Sequence, residues 1–588
     1  MPAGIGCSRL RVNGGEMPDD LILRLAALPP AKRALLEAEL SSESLDGPAL
    51  VARGLAAAGV THLYGVPGEP VYDVFAACAA GGLRLIGARS QQGAVVMAAS
   101  HNYFAGRQAA AVLVSSGAAA CNAVGGALHA QDNCWPLVIL AGATPRGTGG
   151  QGEFMHVDTP RVFEPVTKWA VSVESTERLV PALAEAFDRA MEGRPGPVLV
   201  ELPADVLSGR APAPAGLPTR ATFTREVPAT QLDEAARRLL AAQRPLVVIG
   251  KGLRWANAFE ELAELVERLS LPFVTSPIAR GYIADDHPLC CNLLRWEVQR
   301  KADLVLLLGA RLDWGFRFGT QIAPEASVIQ VDIHAPQLGR NRAAQLPIHG
   351  DVGAFLRGLL DRLPRGGEYP WDTERFRWED ALQERRAQVQ RERIKEASRA
   401  APSGRLSPEA FAHRLAELLP RDAVCILDAN LVMAACERHI PAYAPLTRLT
   451  PGTSGCMGTG IPAGLAAKLQ FPEKPVVAVC GDFAFGLSAM EMETAMRHGI
   501  ALVVVVANND GNAGSLRQRV GYPPGYAERV TTFQPGIRYE RMVEIFGGYA
   551  EHVADEASLG PALLRALASG RPACINVAVD PEAPFPRK

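Results

Sequence analysis

The chain has 588 residues, of which 48% are hydrophobic and 21% charged, and its 60 Lys and Arg against 62 Asp and Glu leave a net charge of −2. That length provides for two or three domains with their own cores, in an ordinary globular composition. The near-neutral balance gives no electrostatic case for a nucleic acid polymer or an anionic membrane. No apolar run approaches the roughly 18 residues of a membrane span, and the amino terminus lacks a signal-peptide core, so a soluble cytoplasmic protein is expected. Eleven cysteines, Cys290 and Cys291 adjacent among them, show neither metal-ligand spacing nor a disulfide-scaffold pattern, which predicts reduced thiols.

Residues 1–44 stand apart. LILRLAALPPAKRALLEAEL has a weak helical periodicity and is expected to be a disordered or surface-packed extension. It also resembles the short segments that precede condensation domains in nonribosomal peptide synthetases, which would imply specialised metabolism and carrier-protein-bound substrates.

Residues 45–212 form a first block in which helical patterns (PALVARGLAAAG) alternate with short apolar strands (THLYGV, AAAVLV, PLVILAG). The Pro- and Ala-rich linker APAPAGLPTRATF closes it. A second block, 226–365, holds RPLVVIGKG, ADLVLLLGARLDW and ASVIQVDIH, apolar runs typical of parallel strands buried on both faces. The charged stretch DALQERRAQVQRERIKEASRA then predicts a solvated linker helix. The third block is 404–588. This alternation predicts an α/β chain of three consecutive doubly wound parallel-sheet domains, with ligands at the carboxyl ends of strands.

Chemistry concentrates in the third block. Gly481 and Asp482 follow the apolar run VVAVC and open the amphipathic stretch GDFAFGLSAMEMETAM, while a second run, VVVVA, leads to Asn509, 27 residues after Asp482. A carboxylate and a carboxamide on adjacent strand ends suit a hard cation that holds phosphates, and an incomplete oxygen cage is the habit of magnesium. The Gly511 carbonyl supplies a third oxygen in this expectation. Gly481 lets the backbone approach the phosphates, and the amides of Phe483 and Ala484 donate to them.

Gly481 to Asn512 resembles the diphosphate–magnesium signature of thiamine-diphosphate-dependent enzymes, normally Gly-Asp-Gly followed by Asn-Asn, with Phe483 here in place of the third glycine. The resemblance covers nearly everything from residue 45 onward and implies pyrimidine, central and diphosphate domains in that order. It implies thiamine diphosphate and Mg2+ as cofactors, with Asp482, Asn509 and the Gly511 carbonyl as metal ligands and Asn512 beside them. YGVPGEP, containing Pro67 and Gly68, looks like the turn of the pyrimidine domain. LTPGTSGCMGTGIPAGLAAKL resembles the segment in which a bulky residue, here Met457 between Gly455 and Gly458, wedges the cofactor into its bent form.

NCWPLVILAGA, IGKG, GARLDW and IQVDI look closest to the 2-hydroxyacyl-CoA lyase, oxalyl-CoA decarboxylase and acetolactate-synthase-like branch, where Lys251, Arg311 and Asp332 would line a nucleotide-sized pocket. A homodimer or homotetramer is implied, since family members hold the cofactor between the pyrimidine domain of one subunit and the diphosphate domain of another.

The departures matter as much. Most of the family has Arg-x-Glu where this chain has Arg89-Ser90-Gln91, and that glutamate shares a proton with the cofactor's aminopyrimidine. The Gln91 carboxamide can hydrogen-bond the ring nitrogen but has no proton to exchange. The CoA branch has Ser-Gly-Pro-Gly where Ser116-Gly117-Ala118-Ala119 stands, and Phe-Gln-Glu where Gln151-Gly152-Glu153 stands. Asn430 survives in DANLVMAACERH, but Met433 and Cys436 replace an Asp and an Arg. These changes argue against inherited CoA specificity and favour a 2-oxo acid or a carrier-bound thioester, with His129, Gln131, Glu153 and His156 as polar candidates around it. The expectation is a thiamine-diphosphate-dependent carbon–carbon lyase, carboligase or decarboxylase that joins a small acyl donor to an acceptor. Two alternatives stay open, a catalytically silent cofactor-binding scaffold and an acetolactate-synthase-like condensation of 2-oxo acids.

Overall fold

The structure is a computed structural model that describes residues 44–148, 151–212, 224–364, 373–401, 403–512, 523 and 525–585, with short pieces at 11–12, 15–16, 28–29 and 32. The expectation for the amino-terminal extension therefore lies almost wholly outside the described residues.

Three parallel sheets follow one another along the chain. The first contains β1 (His62–Val66), β2 (Arg84–Gly87), β3 (Ala110–Val114), β4 (Leu137–Ala143), β5 (Ala170–Ser172) and β6 (Pro197–Pro203), in the order β2-β1-β3-β4-β6-β5. The central sheet contains β7 (Pro245–Ile249), β8 (Phe273–Thr275), β9 (Leu304–Leu308), β10 (Ser327–Asp332) and β11 (Leu346–His349), in the order β8-β7-β9-β10-β11. The third contains β12 (Val424–Asp428), β13 (Arg448–Leu449), β14 (Val476–Gly481), β15 (Val503–Asn508), β16 (Tyr549–Val553) and β17 (Ala573–Ala578), in the order β13-β12-β14-β15-β17-β16. The outer two sheets thus share one topology. Strands such as β3, β7, β9 and β15 are buried at every residue, because helices cover both faces of a parallel sheet and leave no solvated side for polar alternation.

In each sheet the chain winds away in both directions from its first strand. This opens a crevice beyond the carboxyl ends of that strand and its inner neighbour, where open α/β sheets bind ligands. The crevices lie past β1 and β3, past β7 and β9, and past β12 and β14.

The first and third blocks meet through α1 (Gln91–Ala105) and α2 (Gly460–Gln470), whose facing positions are almost all buried. At the amino end of α1, the buried Glu491 carboxylate accepts hydrogen bonds from the backbone N–H groups of Arg89 and Ser90 and from the Ser90 hydroxyl. An anion at a helix start satisfies donors that have no partner inside the helix. The charged stretch is helical over Thr373–Ala397, but it is not simply solvated. Trp378 and Leu382 are buried against the central block, and Arg386 donates to the carbonyls of Asp285, His287 and Pro288. Two apolar anchors in a polar helix suffice to dock one face. Among the described residues no helix is long and apolar enough to cross a membrane, and the cysteines are all free.

Candidate active site

The third crevice gathers most of the residues singled out in the sequence. β14 and β15 pair in parallel with Gly481 opposite Ala507, so Asp482 and Asn509 emerge side by side. Asp482 begins a helix, Asp482–Ser488, and is 2% exposed. Its Oδ1 accepts from the Phe483 N–H at 2.7 Å and its Oδ2 from the Gly511 N–H at 2.9 Å. Burial raises the carboxyl to about 6 against the pull of those donors. The Phe483 amide, expected to face a phosphate, is thus engaged by the preceding carboxylate. Ala484 is buried behind it, and the Phe483 ring stacks on Phe533 at 6.2 Å between centroids.

Asn509 is buried, yet its carboxamide makes no hydrogen bond to a described residue, unlike Asn508, which donates to the Ile537 carbonyl. Gly511 faces Thr532 across an isolated antiparallel bridge in which Asn512 donates to the Thr531 carbonyl and Phe533 to that of Asp510. That pairing leaves the Gly511 N–H for Asp482 and its carbonyl without a partner among the described residues. Asp482, Asn509 and Gly511 therefore follow directly on the ends of β14 and β15, with the Gly511 N–H on the Asp482 carboxylate. Hard oxygen donors in an incomplete set match magnesium.

Asp428, which no local motif marks, ends β12 on the other side of the crevice and is fully buried. Its Oδ2 accepts from the Gly460 N–H at 2.7 Å, and Oδ1 has no hydrogen-bond partner. Burial raises it to about 6, while backbone hydrogen bonds from Gly460, Thr459 and Gly458 pull it down. This carboxyl clasps the turn that carries Met457. Met457 is half-buried against the core shared by the first and third blocks. Gly458 has φ +79°, and a Cβ there would lie 2.7 Å from the Leu487 Cβ, so both its backbone and its surroundings require glycine. Asn430, exposed, precedes the helix Leu431–His439 at the mouth of the crevice, and Gly455 lies exposed on the Met457 loop.

Other predicted residues lie elsewhere. Pro67 and Gly68 flank the first crevice, where the Ser115 hydroxyl donates to the Glu69 carbonyl at 2.6 Å. Gln91 opens α1 but faces Asn122, whose Nδ2 lies 3.4 Å from its Oε1. Gln92 instead points at the Met457 loop of the same chain, 3.6 Å from the Cys456 sulfur. His129 is buried, hydrogen-bonded to the Ser454 hydroxyl at 2.8 Å, and burial pushes it down to about 3, so it is neutral. Gln131 accepts from Arg194 through its carbonyl, Glu153 is exposed, and His156 meets the Thr144 hydroxyl; these do not converge with His129.

The central crevice is a cavity of about 440 Å³ lined by Lys251, Arg311 and Asp332 among others. Lys251 and Arg311 both donate to the Asp132 carbonyl and to the Thr453 hydroxyl, the latter at 2.8 and 3.0 Å. Burial lowers Lys251 to about 8 and raises Asp332 to about 6.

Family models match three successive stretches: an N-terminal TPP binding domain over residues 45–162, a thiamine pyrophosphate enzyme central domain over 232–359 and a C-terminal TPP binding domain over 430–577. The chain is 30% identical over 575 residues to 2-hydroxyacyl-CoA lyase 1 of Homo sapiens, covering 93% of this chain and 96% of that protein. It is 31% identical over 553 residues to the acetolactate synthase large subunit IlvG of Mycobacterium tuberculosis, covering 93% and 98%. To oxalyl-CoA decarboxylase of Escherichia coli K12 it is 30% identical over 554 residues, covering 92% and 95%. With three doubly wound domains, three matching family models and relatives at 30% identity or more over nearly the whole chain, the chain belongs to the thiamine-pyrophosphate-dependent enzymes.

Proposed function

We propose that this enzyme uses thiamine diphosphate and Mg2+ to make or break a carbon–carbon bond next to a carbonyl, acting on a 2-oxo acid or on a 2-hydroxyacyl or oxalyl thioester. The observation that carries the reading is the grouping of Asp482, Asn509 and Gly511, in which the buried Asn509 carboxamide has no hydrogen-bond partner among the described residues. These residues would hold the cation, and the backbone past Gly481 would hold the diphosphate. When bound, the coenzyme supplies the electron sink for bond cleavage. Asp428 positions the Met457 turn through the Gly458–Gly460 amides, and Met457 supplies bulk against the coenzyme. Gln91 can orient a ring nitrogen but transfers no proton.

Gln91 faces Asn122 rather than its own chain's Met457 loop. This supports a homodimer or homotetramer in which the first block completes the site of a second copy. The central cavity, with Lys251, Arg311 and the acid Asp332, fits a nucleotide or the nucleotide part of a thioester carrier. The names of the relatives support the substrate class, and the altered segments Ser116–Ala119 and Gln151–Glu153 favour a 2-oxo acid or a phosphopantetheine thioester over a CoA thioester. Free thiols throughout the described residues fit a reducing, cytoplasmic compartment.

A second reading, a silent cofactor-binding scaffold, draws on Gln91 and on the unusual amino-terminal sequence. Incubating the protein with both cofactors and a panel of 2-oxo acids and acyl thioesters, then searching for covalent coenzyme adducts by mass spectrometry, tests the reading. An adduct with at least one of them is expected; none across the panel, with coenzyme demonstrably bound, favours the scaffold. A visible spectrum without bound flavin counts against the acetolactate-synthase-like variant.

A further inference from the structure

Cys134 lies just past the carboxyl end of the helix Val124–Asn133 and lines the central cavity at 8% exposure. The Arg194 Nε donates to its sulfur at 3.1 Å. Arg194 has its Nη2 on the Gln131 carbonyl, while the hydrogen bonds of Lys251 go to a carbonyl and a hydroxyl, not to a carboxylate. Arg311 reaches Asp313 only at 3.7 Å. The sulfur is therefore hydrogen-bonded to one cation, Arg194, and lies within electrostatic reach of two more, Lys251 and Arg311.

A second group points to a ligand in the same cavity. Asp332 is 8% exposed at the end of β10; one of its oxygens accepts from the His334 N–H, and the other has no hydrogen-bond partner among the described residues. A buried acceptor left open beside a cationic wall, in about 440 Å³ of space, is built to be completed by something that enters.

We propose that Cys134 is a reactive thiolate that forms a mixed disulfide with a small anionic disulfide entering the central cavity. The Cys134 sulfur attacks one sulfur of the incoming disulfide, whose S–S bond breaks. The other half leaves as a thiolate with the bonding electron pair, so the disulfide itself is the oxidant and no proton need move. The cations draw the anion in. They also stabilise the attacking form, since the thiolate is the nucleophile.

Burial alone would raise the thiol; the charges of Lys251, Arg194 and Arg311 and the Arg194 hydrogen bond outweigh it and hold Cys134 below its ordinary value. A helix carboxyl end is the wrong pole for an anion, so the cations must carry the effect. The charged groups facing it are Lys168, Arg194, Lys251 and Arg311, with Asp132 and Asp332 opposed. Elsewhere burial wins: Cys78 and Cys291 are pushed up to about 12 and Cys290 to about 11. The consequence reaches the cofactor loop, because Lys251 and Arg311 also hold Thr453, four residues before Met457.

The test treats the full chain with oxidised glutathione across a pH series and locates adducts by peptide mass spectrometry, with exposed Cys121 as internal reference. A Cys134 adduct is expected, and its rate, scaled to its own plateau, should inflect at lower pH than that of Cys121. Because thiolate nucleophilicity falls with pKa, each unit of separation is worth about threefold in rate at neutral pH. Arg194→Gln should move the Cys134 inflection up towards that of Cys121; if that variant folds poorly, Lys251→Met provides the same readout. Labelling of Cys121 without Cys134, coincident profiles, or a Cys134 profile indifferent to both substitutions overturns the proposal.

Discussion

Replacing Gln91 by Glu is the sharpest test of the unusual first block. The substitution is isosteric at the first residue of α1, capped by the Ser90 hydroxyl on the Gly93 N–H at 3.0 Å. A carboxylate at a helix start gains about 0.3–1 kcal/mol from the dipole. Here the gain is opposed, because the Glu491 carboxylate already occupies the Arg89 and Ser90 amides. Two carboxyl groups sharing one helix end push one of them up by about one to two pKa units, towards the neutral range in which a general acid or base works best. Such help is worth about 10² to 10⁴ in rate. The assay is hydrogen–deuterium exchange at the thiazolium carbon of bound coenzyme, quenched in acid and read by NMR. Gln91→Glu should exchange at least about 100-fold faster than the parent chain. Equal rates, with coenzyme bound equally in both, would mean that Gln91 does not face the aminopyrimidine in the assembled enzyme.

Asp428 should make stability depend on pH. Its folded value of about 6 lies above the unfolded 3.8, so its contribution is complete below about 4 and is lost as pH rises to about 6, by about 3 kcal/mol in all. Urea unfolding across that window should show Asp428→Asn lacking this part of the slope; parallel profiles would contradict the buried, half-satisfied carboxyl. Gly458→Ala would force an L residue into φ +79° and a Cβ against Leu487, costing about 1–2 kcal/mol in backbone and about 1–3 in packing. Calorimetry should then find coenzyme binding at least about tenfold weaker, by displacement of Met457; unchanged affinity in a folded variant removes Met457 from the site.

The three blocks were legible because their central strands, such as β3, β7, β9 and β15, are unbroken apolar runs, a pattern that a sheet covered on both faces requires. The placement of Asp482 and Asn509 was legible for a related reason: each stands at the end of such a run, and neighbouring runs bring their ends together. Asp428 was not, since an acid after VCIL reads as any strand end until the Gly458–Gly460 amides close on it. Glu491 was hidden in EMETAMR, an ordinary amphipathic turn whose partner lies some 400 residues away and leaves no local trace. The direction of Gln91 was equally beyond the sequence, because rotation about a helix start decides whether Gln91 or Gln92 meets the Met457 loop. The linker helix misled because charge dominates its composition, while the few residues that dock it, Trp378, Leu382 and the arginines Arg375 and Arg386, are scattered among solvated ones.

The grouping of Asp482, Asn509 and Gly511 remains the centre of the account, and titration calorimetry of thiamine diphosphate with and without Mg2+ addresses it most directly. Binding to the parent chain should require the divalent ion, and Asp482→Ala should weaken it by at least about 100-fold while circular dichroism stays unchanged. Tight, metal-independent uptake by the parent, or an Asp482→Ala variant that binds as the parent does, would contradict it.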